Sequence, residues 1–421
     1  MKTSNFKFQI IIFVLLILLA LRFFLFYHNQ PQYFDGQHVS FKATLLKEPQ
    51  VFSRYQRLSA NISPAQEVFI TVPIFSQLHY GDTVGIIGTL KERVLSKNKT
   101  IMTMSYPKVE VVKDDNPSTL LRVPLAISSF VRQKAISLFE KTLPSTSSSL
   151  LLGIVFGIKE TMPEDFTESL RLSGVFHVVA ASGMNVTMVG GFLSSLFGFF
   201  LKRQIAILAS VIGIAFYAVL AGLDPPIVRA SIMGSLVFTG QLIGRQTLGA
   251  YGLFLSGFAM LFFSPNLIFD IGFQLSFLAT FGLLYIRPIL EQGKNIKKFL
   301  NNSIVGEGIV TTIAAQAATL PILVANFGIY SLWSVIVNGL VLWTIPTLMV
   351  IGGVGAILGM IAEPLGSIFL YLSLPFLLYF QKIVSMFASF GGVVNFGVLP
   401  WQLSLSYYSF LISLILWLKK K

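Results

Sequence analysis

The chain has 421 residues, of which 54% are hydrophobic and only 12% charged, and its mean hydropathy is +0.74. A soluble fold of this length could not cover such a composition with a polar surface, so the pattern excludes an ordinary soluble enzyme and indicates a polytopic membrane protein. The formal charge of +13 follows in part from the Lys and Arg that mark cytoplasmic loops, and the absence of Cys excludes disulfides, thiolate metal sites and Cys nucleophiles.

The first apolar run, Gln9 to Tyr27, follows Lys2 and Lys7 and has about the 20 residues that a span requires. No small-residue cleavage site precedes His28, so the run reads as an anchor with its N-terminus inside rather than as a signal peptide. From Gln37 to Lys113 apolar and polar residues alternate. Val39, Phe41, Ala43 and Leu45 fall on one face, and VFITVP, DTVGIIGTLKERV and TIMTMSYPKVEVV read as further strands. Five short strands with a Tyr80-Gly81-Asp82 turn predict a small β-barrel of the OB kind. Between His28 and Ser118 ten Lys or Arg face eight Asp or Glu, so this region is not strongly basic. Arg54, Tyr55 and Arg57 combine cation and aromatic as single-stranded nucleic acid binders do, although a charged, solvated strand edge has the same composition.

Leu120 to Leu143 is amphipathic, with Ile127, Val131, Leu138 and Phe139 on one side and Arg122, Arg132, Lys134 and Lys141 around it, as in a helix lying along a membrane surface. Leu150 to Ile158 is too short to span and reads as re-entrant or interfacial. Further spans are predicted near residues 174–200, 205–222, 228–244, 248–263, 267–286, 304–325, 329–350, 365–390 and 401–418, about ten with the anchor. Lys202-Arg203, Arg245, the run from Arg287 to Lys298, and Lys419 to Lys421 then all lie on the cytoplasmic side, and the barrel lies outside. The domain reading is an anchor over 1–30, an OB-like domain over 31–118, amphipathic or interfacial helices over 119–171, and a polytopic domain over 172–421.

Four polar constellations fall in or beside these spans. The first is His177, Ser182, Gly183 and Asn185, within a run that must break its helix against protein or face water because lipid supplies no hydrogen bonds. His177 could line a path, or simply bond a neighbouring helix. The second is LAGLDPPIVRAS, Leu220 to Ser231, where Pro225-Pro226 divides two helices and Asp224 stands close enough to Arg229 to pair with it. The third is FDIGFQLSF, Phe269 to Phe277, with Asp270 placed to cap a helix and Gln274 one turn along the same face. The fourth is AAQAATLP, Ala314 to Pro321, whose small residues allow close helix packing bridged by Gln316.

These four motifs, in this order, resemble those of the ComEC family of competence proteins. The resemblance implies a channel that carries one strand of transforming DNA across the bacterial cytoplasmic membrane, with an OB-like domain on the outer face. It also implies an external DNA receptor and a cytoplasmic helicase-like motor. The chain departs from the family in two ways. Asn185 stands where members usually carry a second His, which argues against a titrating role there. The chain ends at Lys421 without the metallo-β-lactamase-like domain many members carry, so a short form is expected, with any nuclease separate.

The sequence contains no catalytic constellation, no metal-ligand spacing among its four His, no cofactor motif and no G-x-x-x-x-G-K-[ST] loop, so no enzymatic role and no motor of its own are expected, and a conduit moved by another protein is what the resemblance implies. A small-solute transporter built on broken helices, or a non-transporting scaffold, has the same composition. Oligomeric state is not legible.

Overall fold

The computed structural model describes residues 2–31, 33–52, 54–64, 66–73, 78–96, 99–112, 122–179, 182–244, 248–292, 304–397 and 400–420. It comprises two compact units, Met1–Phe130 with Phe254–Asp270, and Val131–Leu253 with Ile271–Lys421.

The first unit begins with α1 (Lys2–His28), matching the expected anchor in position. Arg22 sits within this apolar helix and donates from Nε to the Phe262 carbonyl at 3.0 Å. The alternating region folds as β1 (His38–Thr44), β2 (Gln50–Val51), β3 (Tyr55–Ser63), β4 (Gln66–Pro73), β5 (Thr83–Thr89), β6 (Lys91–Ser96), β7 (Lys99–Ser105) and β8 (Lys108–Val111). They form two sheets, β1-β5-β8 and β2-β3-β4-β7-β6, antiparallel throughout except for the parallel pair β4 and β7. The inward residues of both sheets share one core, in which Leu45, Val68, Ile70, Val84, Ile86 and Leu90 are fully buried and Val39, Phe41 and Ala43 pack against it. The expected turn is present: Gly81 adopts φ 89°, Asp82 accepts from the His79 amide at 2.7 Å, and Tyr80 is buried.

The rest of the chain is mainly helical and, apart from its residues up to Phe130 and the segment Phe254–Asp270, makes up the second unit. After α2 (Arg122–Thr142) come α3 (Ser145–Phe156), α4 (Glu164–Leu172), α5 (Phe176–Val179) and α6 (Gly183–Phe200). They are followed by α7 (Arg203–Leu220), α8 (Pro225–Leu242), α9 (Gly249–Phe263), α10 (Ile271–Phe281), a π-helical turn over Gly282–Ile286 and α11 (Arg287–Leu290). The last helices are α12 (Ile304–Phe327), α13 (Ser334–Val341), α14 (Thr344–Ile361), α15 (Glu363–Ser389) and α16 (Trp401–Lys420). A small ribbon pairs β9 (Ile329–Ser331) with β10 (Val393–Asn395). Among the described residues six helical stretches are long and apolar enough to cross a membrane: Phe176–Phe200, which the extended Ser182 interrupts, Arg203–Leu220, Ile271–Leu290, Gly306–Phe327, Thr344–Ile361 and Glu363–Ser389.

Two expectations are corrected. The predicted span over 329–350 is instead a strand, the short α13 and a turn, with the long helix beginning at Thr344. Periodicity alone cannot place that break, because apolar residues run through it. In α2 the buried stripe is Leu125, Ser128, Arg132, Ala135 and Phe139, while Ile127 is 48% exposed, so the protein-facing side carries a cation that sequence placed on the polar rim.

Close backbone approach, rather than large side chains, sets several helix crossings. A Cβ at Gly366 would collide with the Gly359 backbone, and one at Gly282 would meet the Ala314 carbonyl. Gly282→Val should therefore force apart the helices that carry the third and fourth motifs, at a cost of about 1–3 kcal/mol by overpacking. The check is the unfolding midpoint of purified protein in micelles, and an unchanged midpoint contradicts the close approach.

Candidate functional site

The segment carrying His177 to Gly191 is divided, as its polar content predicted. Helix α5 is described over Phe176–Val179, Ser182 is extended (φ −113°, ψ 171°), and α6 starts at Gly183. Around this interruption the first, second and fourth motifs and the Ile271–Phe277 part of the third come together within the second unit.

Asn185 is 1% exposed and answers a need created elsewhere. Helix α3 ends inside the protein, with Ser147 to Phe156 all buried and Gly157 in the left-handed conformation at its C-terminus. A helix that ends away from water leaves carbonyls without partners. Asn185 Nδ2 donates to the Ile154 carbonyl at 2.8 Å, and the Tyr217 hydroxyl donates to the Val155 carbonyl at 3.0 Å. Ser182 Oγ donates in turn to Asn185 Oδ1 at 3.1 Å.

Arg229, in the first turns of α8, reaches two other motifs. Its Nε donates to Ser276 Oγ at 2.7 Å, its Nη1 lies 3.4 Å from Met233 Sδ, and its guanidinium stands 5.9 Å from the Phe277 ring centre. Gly183 packs directly against its Nη2. The expected pairing of Asp224 with Arg229 does not form. Asp224 precedes Pro225 at the start of α8 and pairs with Lys159 Nζ at 3.5 Å, while Arg229 lies further along the helix and turns toward α10. The turn before Asp224 is tight, with Gly222 at φ 92° and Leu223 at φ 56°, a left-handed conformation costly for a branched side chain.

Gln316, predicted to bridge helices, does so. Its Nε2 donates to Ser334 Oγ at 2.6 Å and its Oε1 accepts from the Tyr330 hydroxyl at 2.7 Å. Ser334 Oγ donates to the Gly174 carbonyl at 3.0 Å, and the exposed His177 faces that same carbonyl. The first and fourth motifs thus belong to one chain of polar contacts. Asp270 immediately precedes α10 and is exposed, and Gln274 is half-buried in its first turns.

Ser276, Phe277, Ser334, Tyr330 and Tyr217 were not singled out from sequence. The first two lie within the third motif but were passed over for its more polar members. The others are isolated hydroxyls in apolar runs and carry no local signal.

Beside the α7–α8 turn, Arg132 Nη1 donates to the Leu220 carbonyl at 2.9 Å. Glu160, in the loop after α3, accepts from the Lys159 amide at 2.9 Å. Removal from water holds its carboxyl above the usual carboxylate range, against the opposing pull of Lys159 and Arg132.

In the first unit, Tyr55 stacks on Phe52 at 4.8 Å, and the Arg57 guanidinium stands 5.2 Å from the Phe52 ring centre. Arg54 beside them is exposed. Phe52, which carries no signal of its own in the sequence, thereby joins Tyr55 and Arg57 of the predicted trio.

The model of the competence protein family matches residues 154–421, more than half of the chain. The chain belongs to that family. It is 27% identical over 209 residues to ComE operon protein 3 of Bacillus subtilis, covering 49% of this chain and 26% of that protein. It is 30% identical over 203 residues to an uncharacterized protein of Aquifex aeolicus, covering 47% of this chain and 45% of that one. The chain therefore spans less than half the length of these relatives. A third relative, the uncharacterized protein YcaI of Escherichia coli, is 27% identical over 128 residues, 28% of this chain and 17% of its own.

Two measurements check this geometry. Asn185→Ala strands the Ile154 carbonyl and Gln316→Ala leaves Ser334 and Tyr330 without a shared partner, so each should destabilise by about 1–3 kcal/mol. Asn185→Ala matching the native unfolding midpoint contradicts the capping role. Glu160 with a raised folded-state pKa favours the fold below the ordinary value of 4.5, and that contribution is lost as pH rises through the raised value. Glu160→Gln should flatten the acid side of the stability profile, and a profile identical to native removes Glu160 as its source.

Proposed function

We propose that this chain forms a conduit for single-stranded DNA through a bacterial cytoplasmic membrane during natural competence. The observation that carries the reading is the gathering of polar motifs around a helix interruption in an otherwise apolar helical unit. A polyanion crossing hydrocarbon requires a hydrated, positively biased route, and polar side chains on interrupted helices provide one. Family membership supports the same reading.

In this proposal α1, α8, α9 and α16 cross the bilayer with the six long helices, giving ten spans and placing the sheet domain outside and the C-terminal lysines in the cytoplasm. The sheet domain is proposed to be an OB-type barrel. Its support is the strand circuit: β1 with β2, β5 with β6, and β7 with β8 act as three bent strands, and with β3 and β4 they close a five-strand ring. The domain would receive the incoming strand on Arg54, Tyr55 and Arg57. His177, Ser182, Gly183, Asn185, Asp224, Arg229, Asp270, Gln274 and Gln316 are the proposed motif residues of the path. The chain is proposed to perform no chemistry of its own. Its partners would be the DNA strand, an outer DNA receptor, a cytoplasmic helicase-like motor and a separate nuclease.

Deleting the chain should abolish entry of labelled single strands into the cytoplasm while leaving surface uptake intact. Normal entry in the deletion strain overturns the proposal. For the outer domain, the combined Arg54→Ala, Tyr55→Ala and Arg57→Ala variant of the full chain should bind oligo-dT more weakly. Its log affinity should also fall less steeply with log salt, by roughly 1.4, since two cations are removed at about 0.7 each for single strands. Unchanged affinity and slope would move the contact elsewhere.

A further inference from the structure

Arg229 is 8% exposed, and among the described residues no carboxylate forms an ion pair with it. Its Nε and Nη1 are occupied by a hydroxyl and a thioether, and the Phe277 face offers partial compensation, but Nη2 has no hydrogen-bond partner among the described residues. That nitrogen points at Gly183, standing 3.0 Å from where a Cβ would lie.

Gly183 is the first residue of the 18-residue helix α6, and the Ser182 side chain is turned away to Asn185 rather than capping it. The amides of Gly183 and Met184 are left without partners among the described residues. A guanidinium thus faces the positive end of a long helix. The two repel one another unless an anion lies between them, in which case both attract it. A buried cation without a counter-ion is costly, and a carboxylate from the protein is the usual answer. Among the described residues donors converge here and no acceptor answers them.

We infer that Arg229 Nη2 and the N-terminal amides of α6 form a seat for a single phosphate-type oxyanion. Resting on the conduction reading for its source, the ligand is a phosphodiester of the passing strand. A glycine at 183 is what lets the guanidinium approach the helix end.

The test uses the full chain in phosphatidylcholine nanodiscs, with inorganic phosphate as probe at constant ionic strength. Phosphate should raise the native unfolding midpoint, and Arg229→Gln should weaken its apparent affinity by roughly tenfold or more, since charge-assisted bonds are lost. Gly183→Ala should weaken it too, by displacing Nη2, while Lys141→Gln, in an exposed ion pair, should not. An equal phosphate response in native protein and Arg229→Gln overturns the seat. Should Arg229→Gln not fold, Arg229→Lys takes its place, and native affinity in that variant overturns the forked geometry. Competition by oligo-dT supports the strand as source. Competition only by added phosphatidylglycerol overturns that source and assigns the seat to a lipid headgroup. The seat and the conduction reading fail separately: DNA entry that survives deletion of the chain removes the latter and leaves the phosphate response standing.

Discussion

The second unit depends on one constraint: a helix that ends away from water must have its last carbonyls answered by protein. Helix α3 is buried along most of its length and ends inside, so its terminal carbonyls cannot be hydrated. Asn185 and Tyr217 supply the missing donors from α6 and α7. The interruption before α6 follows from this, because it sets Asn185 in the first turn of a new helix where its amide can reach across. A single buried helix end thereby couples three elements, and the polar residues that looked like a pathway begin as its support.

Buried charge is managed differently at two places. Arg132 is turned to a backbone carbonyl at the end of α7, where that carbonyl needs a donor of its own. Arg229 meets a hydroxyl, a sulfur and an aromatic face, none of which carries a negative charge. Low dielectric makes such an arrangement more consequential than it would be at a wet surface. The first cation is structural in its contacts, and the second keeps part of its hydrogen-bonding capacity unspent.

The sheet domain follows another rule. Its strands bury one face by strict alternation, and the two sheets share a single core, so the polar faces are free to vary. Phe52, Tyr55 and Arg57 come together at the β2–β3 pair because pairing of Gln50 with Arg57 folds that hairpin tightly. An aromatic stack with a cation at its edge suits unstacked bases, and its members are too close in sequence for any distant contact to be required.

Local chemistry decided what could be read from the residues alone. Apolar run length identified most of the long helices, alternation identified the strands and the face formed by Val39, Phe41, Ala43 and Leu45, and Pro225-Pro226 located the break between α7 and α8. The interruption near Ser182 was legible because polar side chains in an apolar run need partners, and Gln316 because small residues around it imply a close neighbour. The pairing of Asp224 was not legible. Proximity in sequence suggested Arg229, but the helix that starts at Pro225 carries the guanidinium away toward α10, and Lys159 arrives from a loop 65 residues earlier. Nor could sequence show that α13 ends where it does, or that Ser276, Ser334 and Tyr217 would become partners of motif residues, since a lone hydroxyl acquires meaning only from what folds against it. Hydrophobicity and periodicity act along the chain and are written in it, whereas hydrogen-bond and charge partners are chosen among all groups that packing brings within about 3 Å, and only the tertiary structure makes that choice.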